Sequence, residues 1–232
     1  MLLPVIKPLR CDISQQYLRL SLGDQMLNTT TRQPDQALKE QLIALIKPHI
    51  SRFSWGKSIE FSLDSAMTNL LVAPWQDGIN TPAELRRYSA LLATKRFPQL
   101  TGKQFHTGFI DYGYRKNALA AIIENEVWQE LQMSANHLKL RLQGIQTPLR
   151  SLLETWRTKL PDAGIFATVG ETSSTFAFRL ESEWQRVFHL AFPGISASKQ
   201  LALVARLAGV QNMTCHYWDK HEGRKTISLR ND

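Results

Sequence analysis

Residues 10–27 read RCDISQQYLRLSLGDQML, and residues 163–190 read AGIFATVGETSSTFAFRLESEWQRVFHL. In the first stretch Tyr17, Leu18, Leu20 and Leu22 are strand residues and Gly23-Asp24 makes a turn, so two or three short strands are expected. In the second, GIFATVG, STFAFRL and EWQRVFHLAF read as three antiparallel strands joined by short turns. A helix follows each set. PDQALKEQLIALIKPHI carries Ala37, Leu38, Leu42, Ile43, Leu45 and Ile46 on a helical stripe opened by Pro34-Asp35. SASKQLALVARLAG offers Ser196 or Ser198 as a cap and Gly209 as a stop. The chain thus begins twice in the same way, β-β-β-α. The repeat is one of topology rather than of letters, and it governs the fold.

Between the two beginnings the order continues β-β-α-β-β-α-β-α. SIEFSL and NLLVAPW are strand-like, and TPAELRRYSALLATKRF is a helix with Thr81 at the N-cap, Pro82 in the first turn and Glu84 completing a capping box. KQFHTGFID and NALAAII are strands separated by the turn DYGYRK. ENEVWQELQMSANHL is a helix, KLRLQGIQ a strand, and Thr147-Pro148 opens a further helix, PLRSLLETWRTKL. NMTCHYWD and RKTISLR form a closing hairpin. The division expected is residues 1–160 as a first half with inserted strands and helices, and residues 161–232 as a second, shorter half.

The 232 residues suffice for a substantial core, and 43% hydrophobic with 21% charged residues is ordinary for a folded soluble chain. No run approaches the roughly 20 apolar residues that cross a bilayer. The opening MLLPVIKPLR has two prolines and no charged-then-apolar order, which argues against a signal peptide. The two cysteines, Cys11 and Cys215, lie far apart and are expected as reduced thiols. A formal charge of +8 points toward an acidic partner, a membrane surface or nucleic acid. The basic residues are scattered, however, and the densest group is Arg86, Arg87, Lys95 and Arg96 on one expected helix. With no nucleic-acid motif and no interleaved aromatics, nucleic acid is not expected as a partner.

Two consecutive β-β-β-α units resemble the duplicated, ribonuclease-H-like architecture of the actin and sugar-kinase superfamily. The resemblance implies an α/β, actin-like ATPase fold with its second half truncated. In that family each half begins with a strand ending in Asp-x-Gly. Glycines let backbone amides approach the phosphates, and the aspartate handles magnesium or its water. Here the first half keeps Asp12 but has Ser14 at the glycine position, followed by two glutamines. The second half keeps Gly170 but has Thr168 at the aspartate position and Glu171 beside it. ARLAGVQNMT is not a glycine-rich adenosine loop. Each turn has one part of a phosphate clamp, so Asp12, Ser14 and Gly170 are expected as a vestigial site. The plain expectation for Asp12 is a strand-end aspartate that bonds nearby backbone.

A narrower resemblance is to actin-like pilus-assembly and type II secretion proteins of the PilM type and the GspL cytoplasmic-domain type. It rests on residues 59–97, IEFSLDSAMTNLLVAPWQDGINTPAELRRYSALLATKRF, through Leu70, Leu71, Val72, Pro74, Trp75, Glu84 and Tyr88. The segment GIQTPLRSLLETWRTKL fits the same scheme, and the likeness spans most of residues 10–210. The chain departs from the family in being shorter than the pilus protein and, unlike the secretion protein, in having no membrane span. The resemblance implies a non-catalytic cytoplasmic scaffold, peripheral to the inner membrane through its partners. Those partners would be inner-membrane assembly proteins and the assembly ATPase, held by groove insertion or strand addition. No cofactor is expected. An actin-fold ATPase or kinase using Asp12 and Gly170 is the alternative, a basic nucleic-acid binder the third reading, and a homodimer stays open.

Remaining motifs weigh less. CHYWDKH gathers Cys215, His216, Asp219 and His221, but zinc draws on two separated pairs, and strand alternation sends Cys215 and His216 to opposite faces; no metal is expected. GETSST at 170–175 lacks both the Gly-x-Ser-x-Gly elbow and a Walker loop, and reads as a hairpin turn. Trp128 and Trp156 lie on helical apolar stripes and are expected in the core. Trp75, and the basic face carrying Arg86, Arg87 and Lys95, are the candidate partner contacts.

Overall fold

The computed structural model of the chain describes residues 8–50, 57–156, 159–170, 173–191, 195–209, 213–219 and 223–228. Trp55, Glu171 and His221 lie outside them. The first half runs β1 (Leu9–Ile13), β2 (Tyr17–Leu22), β3 (Gln25–Thr31), α1 (Leu38–Ile46), β4 (Ser58–Leu63), β5 (Asn69–Ala73) and α2 (Pro82–Arg96). It continues through β6 (Phe105–Asp111), β7 (Ala118–Glu124), α3 (Asn125–His137), β8 (Arg141–Gln146) and α4 (Pro148–Leu153). The second half runs β9 (Gly164–Val169), β10 (Ser174–Leu180), β11 (Glu183–Leu190), α5 (Ala197–Ala208), β12 (Thr214–Asp219) and β13 (Gly223–Ser228). This is the order expected from the sequence.

The elements pack into two compact units, Met1–Thr68 with Gly102–His106 and Ile123–Thr147, and Asn69–Thr101 with Thr107–Ile122 and Pro148–Asp232. In the first unit the sheet order is β3-β2-β1-β4-β8. β1 to β3 form an antiparallel meander, while β4 and β8 run parallel to β1 and to each other. Cys11 sits between Leu20 and Phe61 in register. Alternation puts Leu9, Cys11 and Ile13 inside, where they join Leu18, Leu20, Phe61 and Leu63. α1 supplies Leu42 and Ile46 to that core, and α3, which packs against α1, supplies Leu131 and Ala135. Each such side chain contributes about 1.5–3 kcal/mol by leaving water.

In the second unit the sheet order is β11-β10-β9-β12-β13. Its first four strands repeat the first sheet: an antiparallel meander, then a parallel strand β12 reached through α5. The fifth strand differs. β13 is antiparallel to β12, so a hairpin replaces the parallel crossover that places β8 in the other sheet. Leu201, Val204 and Ala205 of α5 cover Ile165, Ala167, Phe176, Cys215 and Tyr217. A further sheet, β5-β7-β6, lies largely in this unit, with β5 beside β11.

Some boundaries differ from the sequence expectation. α1 starts at Leu38, not at Pro34-Asp35, and its N-cap residue Ala37 gives no side-chain bond. The buried Gln41 ties the preceding loop to the helix: its Oε1 accepts from the Gln33 amide, and its Nε2 donates to the Gln33 and Gln36 carbonyls. α4 is only 6 residues long and passes into a 3-10 turn at Glu154–Trp156. α5 has Ser196 at its N-cap position without a capping bond, and ends at Gly209 with φ 67°. α2 conforms to expectation. The Thr81 hydroxyl accepts from the Glu84 amide at 3.2 Å, and Glu84 Oε2 accepts from the Thr81 amide at 2.9 Å. These bonds hold the Glu84 carboxyl below its usual range, the Asn80 amide being the largest cause.

Candidate functional site

The β1–β2 turn is closed by its own serine. The Ser14 hydroxyl accepts from the amides of Gln16 at 3.2 Å and Tyr17 at 3.0 Å, and donates to the Tyr17 carbonyl at 3.1 Å. Arg32 reaches over the same turn, its Nη1 donating to the Ser14 carbonyl at 3.3 Å. A glycine would have left those two amides pointing at a ligand; the serine spends them inside the turn. Asp12 lies within β1 rather than beyond it, and its Oδ1 accepts from Arg10 Nε at 2.9 Å. Arg10 also donates through Nη2 to Ser62 at 3.4 Å. A carboxylate neutralised by its own strand neighbour is a weaker magnesium ligand than a free one.

The β9–β10 turn, in the other unit, has a similar device. The Gly170 amide donates to Ser174 Oγ at 3.3 Å, and that hydroxyl donates to the buried Gln200 Oε1 at 2.7 Å. Gln200 Nε2 donates in turn to the Ile195 carbonyl at 2.8 Å. The turn needs glycine for steric reasons, since a Cβ at 170 would meet the Ser173 carbonyl oxygen at 2.5 Å. Thr168, at the position of the missing aspartate, is buried within β9 and pairs across to Thr175. Gly170→Ala is therefore expected to destabilise the chain by about 2 kcal/mol through backbone displacement. Chemical denaturation checks this; a loss below a few tenths of a kcal/mol would mean the turn relaxes freely.

One carboxylate escaped the sequence reading. Asp64 follows β4, at the carboxyl ends of the parallel strands, where open α/β sheets place ligands. Its amide donates to the Ile13 carbonyl at 2.9 Å, next to the Ser14 turn. Its Oδ1 is folded back onto the Ser65 amide at 2.6 Å and the Ser65 hydroxyl at 3.1 Å. The signal was an acidic residue directly after an apolar run.

The partner candidates are dispersed. Arg86, Arg87 and Lys95 are all exposed on α2, whose buried stripe is Leu85, Ser89 and Ala93. At about 100° per residue, Arg86 and Lys95 fall on opposite flanks of the helix, so the three do not share one face. Arg87, the exposed Leu91 and Lys95 do line up along the outward stripe. Arg96, also exposed, donates to the Val187 carbonyl at 3.1 Å. Trp75 is half-buried. Its backbone amide donates to Asn117 Oδ1 at 3.0 Å, and the Arg115 guanidinium lies 5.8 Å from its ring centroid.

The strongest cluster of functional side chains lies around the β6–β7 turn, DYGYRK, all of it in the second unit. Asp111 Oδ2 accepts from Trp184 Nε1 at 2.7 Å and from Arg179 Nη1 at 3.2 Å. The Arg179 side chain is only 8% exposed, and its guanidinium lies 5.3 Å from the Trp184 ring centroid. A cleft of ≈ 300 Å³ opens beside this group, with Tyr112, Tyr114, Lys116, Lys159 and Trp156 among its walls. Sequence reading treated DYGYRK as a turn and assigned none of these residues a role.

Two tryptophans expected in the core are only half-buried. Trp128 stacks on His106 at 4.6 Å, and His106 Nε2 lies 2.8 Å from Asn125 Oδ1. Trp156 packs edge-on against Phe166 at 5.5 Å and His216 at 4.8 Å. Within CHYW, strand alternation holds: Cys215 and Tyr217 enter the core, and His216 faces the Trp156 and Phe166 rings. Burial pushes the Cys215 thiol up to about 12, away from the thiolate that binds a metal, and lowers the His216 imidazole. Among the described residues no cluster of three His, Cys, Asp or Glu is placed to hold a metal, and no helix is long and apolar enough to cross a membrane.

No protein-family model matches the sequence, and no curated protein matches it. Solved structures do. One similar structure is the cytoplasmic domain of EpsL, an inner-membrane component of the type II secretion system of Vibrio cholerae. Its TM-score is 0.57 at 12% identity over 92% of this chain and 82% of that one. A protein of Bacteroides thetaiotaomicron with actin-like ATPase fold and unknown function gives 0.59 at 11% identity, over 92% and 81%. The PilM–PilN type IV pilus biogenesis complex gives 0.51 at 14% identity, over 90% and 67%. The chain has the actin-like ATPase fold, and its neighbours include proteins of the type II secretion and type IV pilus systems.

Proposed function

We propose that the protein is a non-catalytic scaffold of a type II secretion or type IV pilus assembly platform. It acts on the cytoplasmic side of the inner membrane and is held there through partners. It would bind the cytoplasmic segment of an inner-membrane protein, the assembly ATPase, or both. The observation that carries this reading is the pair of serine-closed turns. A phosphate clamp works through unpartnered amides and a free carboxylate, and in this chain Ser14, Ser174 and Arg10 engage those groups. The fold likeness to the EpsL cytoplasmic domain and to PilM–PilN supplies the machine. The boundary between the topological halves at residues 160 and 161 belongs to the same proposal, as does the absence of a nucleic-acid role.

Calorimetric titration with Mg-ATP tests it. The expected result is no binding heat at millimolar nucleotide. Tight binding that Asp12→Ala abolishes overturns the scaffold reading in favour of an actin-fold ATPase or kinase. Co-expression with the cytoplasmic segments of inner-membrane proteins encoded beside its gene is expected to give co-purification.

A further inference from the structure

We propose that the cleft beside the β6–β7 turn is the docking site for an extended, acidic peptide segment of a partner protein. The inference rests on the scaffold reading and gives that partner a chemistry. Its first support is the makeup of the walls. Tyr112 and Tyr114 are 54% and 70% exposed at the turn, and both line the cleft. The Arg115 guanidinium lies 5.5 Å from the Tyr114 ring centroid and 5.8 Å from that of Trp75, which steadies the rim. Tyrosine, tryptophan and arginine are the residues that dominate binding energy at protein interfaces.

The second support is charge. Lys116 and Lys159 are exposed, both line the cleft, and neither forms an ion pair among the described residues. Arg179 lines its floor nine-tenths buried, bonded to Asp111, while its Nε has no hydrogen-bond partner among the described residues. Arg179, Lys116 and Lys159 outnumber the single lining carboxylate, Asp111, and this excess of positive charge favours a carboxylate entering from solvent. The overall charge of +8 steers an acidic segment toward the protein at long range.

The third support is what the cleft disfavours. Asp111 lies in its wall, and Asp162 stands close enough to Lys159 and Lys116 to feel their charge, with its Oδ1 held by the Ser182 hydroxyl at 2.6 Å. These carboxylates oppose a ligand with closely spaced phosphates, such as a nucleotide or nucleic acid, more than a peptide whose carboxylates are spread along its chain. A peptide offers backbone N–H donors to Asp111 and side-chain carboxylates to the lysines. The volume sits at the low end of the range for ligand pockets, about 300–1,000 Å³, enough for one or two anchoring side chains.

The test starts with a random phage-displayed peptide library selected on the immobilised full chain. Recovered peptides are expected to be enriched in Asp and Glu flanking an aromatic or aliphatic residue. A fluorescein-labelled synthetic copy of the most frequent peptide is then titrated by anisotropy. Lys116→Glu with Lys159→Glu is expected to weaken its binding at least roughly tenfold, and Tyr114→Ala several-fold. These side chains are exposed, so the variants keep the wild-type circular dichroism melt. Peptides without acidic enrichment, no recovered peptides, or unchanged affinity in the double lysine variant overturn the proposal. So does displacement of the peptide by a single-stranded oligonucleotide at comparable concentration, which reassigns the cleft to nucleic acid. Because selection uses the purified chain alone, its result is independent of co-purification with a neighbouring membrane protein. Failure of one leaves the other legible.

Discussion

Truncating Trp184 to alanine is expected to lower the unfolding free energy by about 3–5 kcal/mol, among the largest effects available to a single substitution in this chain. Trp184 is 1% exposed and is one of the largest fully buried side chains among the described residues. It packs in one cluster with Leu70, Leu119, Leu149, Ala177 and Val187, and its ring meets Phe166 edge-on at 5.6 Å. Removing it forfeits the transfer of a large apolar surface and leaves a void that strands β5, β7 and β11 cannot fill without distortion. It also removes the Nε1 donor at Asp111 and the ring beneath Arg179. Urea denaturation followed by far-ultraviolet circular dichroism measures the change. Because the chain packs as two units, the loss is expected as an early transition rather than a uniform shift. Trp184→Phe separates the causes, keeping most of the packing and losing only the hydrogen bond. If Trp184→Ala costs less than about 1 kcal/mol, the cluster around it is not close-packed.

Among the described residues, the order of the 13 strands and 5 α-helices was legible because the information that specifies it is local. Alternation at Leu18, Leu20 and Leu22, the stripe from Leu38 to Ile46, and the Thr81–Glu84 box each lie within a few residues. The misses come from tertiary partners. α1 begins three or four residues late, and the residues before it are held as a loop by the buried Gln41 side chain. The antiparallel pairing of β13 with β12, by contrast, was read correctly as a closing hairpin from NMTCHYWD and RKTISLR. At the turns, the substitution of Ser14 for glycine was plain from the sequence. That the hydroxyl would engage two amides, and that Ser174 would do so for Gly170, needed coordinates. The basic helix face dissolved once helical angles were applied to Arg86 and Lys95. The Asp111–Arg179–Trp184 group was out of reach altogether: its members are separated by 68 and 73 residues, and no local pattern announces the pairing.

That separation makes Asp111 the second large effect. Asp111→Ala is expected to cost about 3 kcal/mol, at the lower end of what breaking a buried ion pair costs. The asymmetry of the pair sets the size. Arg179 is 8% exposed in its side chain, whereas Asp111 is 34% exposed, so water screens the carboxylate but scarcely reaches the guanidinium. Removing Asp111 strands a buried cation whose Nε already lacks a partner, and leaves the Trp184 indole N–H without an acceptor. Asp111→Asn keeps an acceptor for the indole but not the charge, and is expected to fall between alanine and wild type. The decisive comparison is the double variant Asp111→Ala with Arg179→Leu. Removing both charges and restoring apolar volume is expected to recover much of the loss, because the penalty belongs to the unpaired cation rather than to the missing bond. A denaturation double-mutant cycle reads this as a coupling of about 1–3 kcal/mol. Strict additivity, or a cost for Asp111→Ala below about 1 kcal/mol, would make the pair equivalent to a solvent-screened surface bridge. The floor of the cleft would then carry no desolvated charge, and the affinity for carboxylates inferred from Arg179 would rest on Lys116 and Lys159 alone.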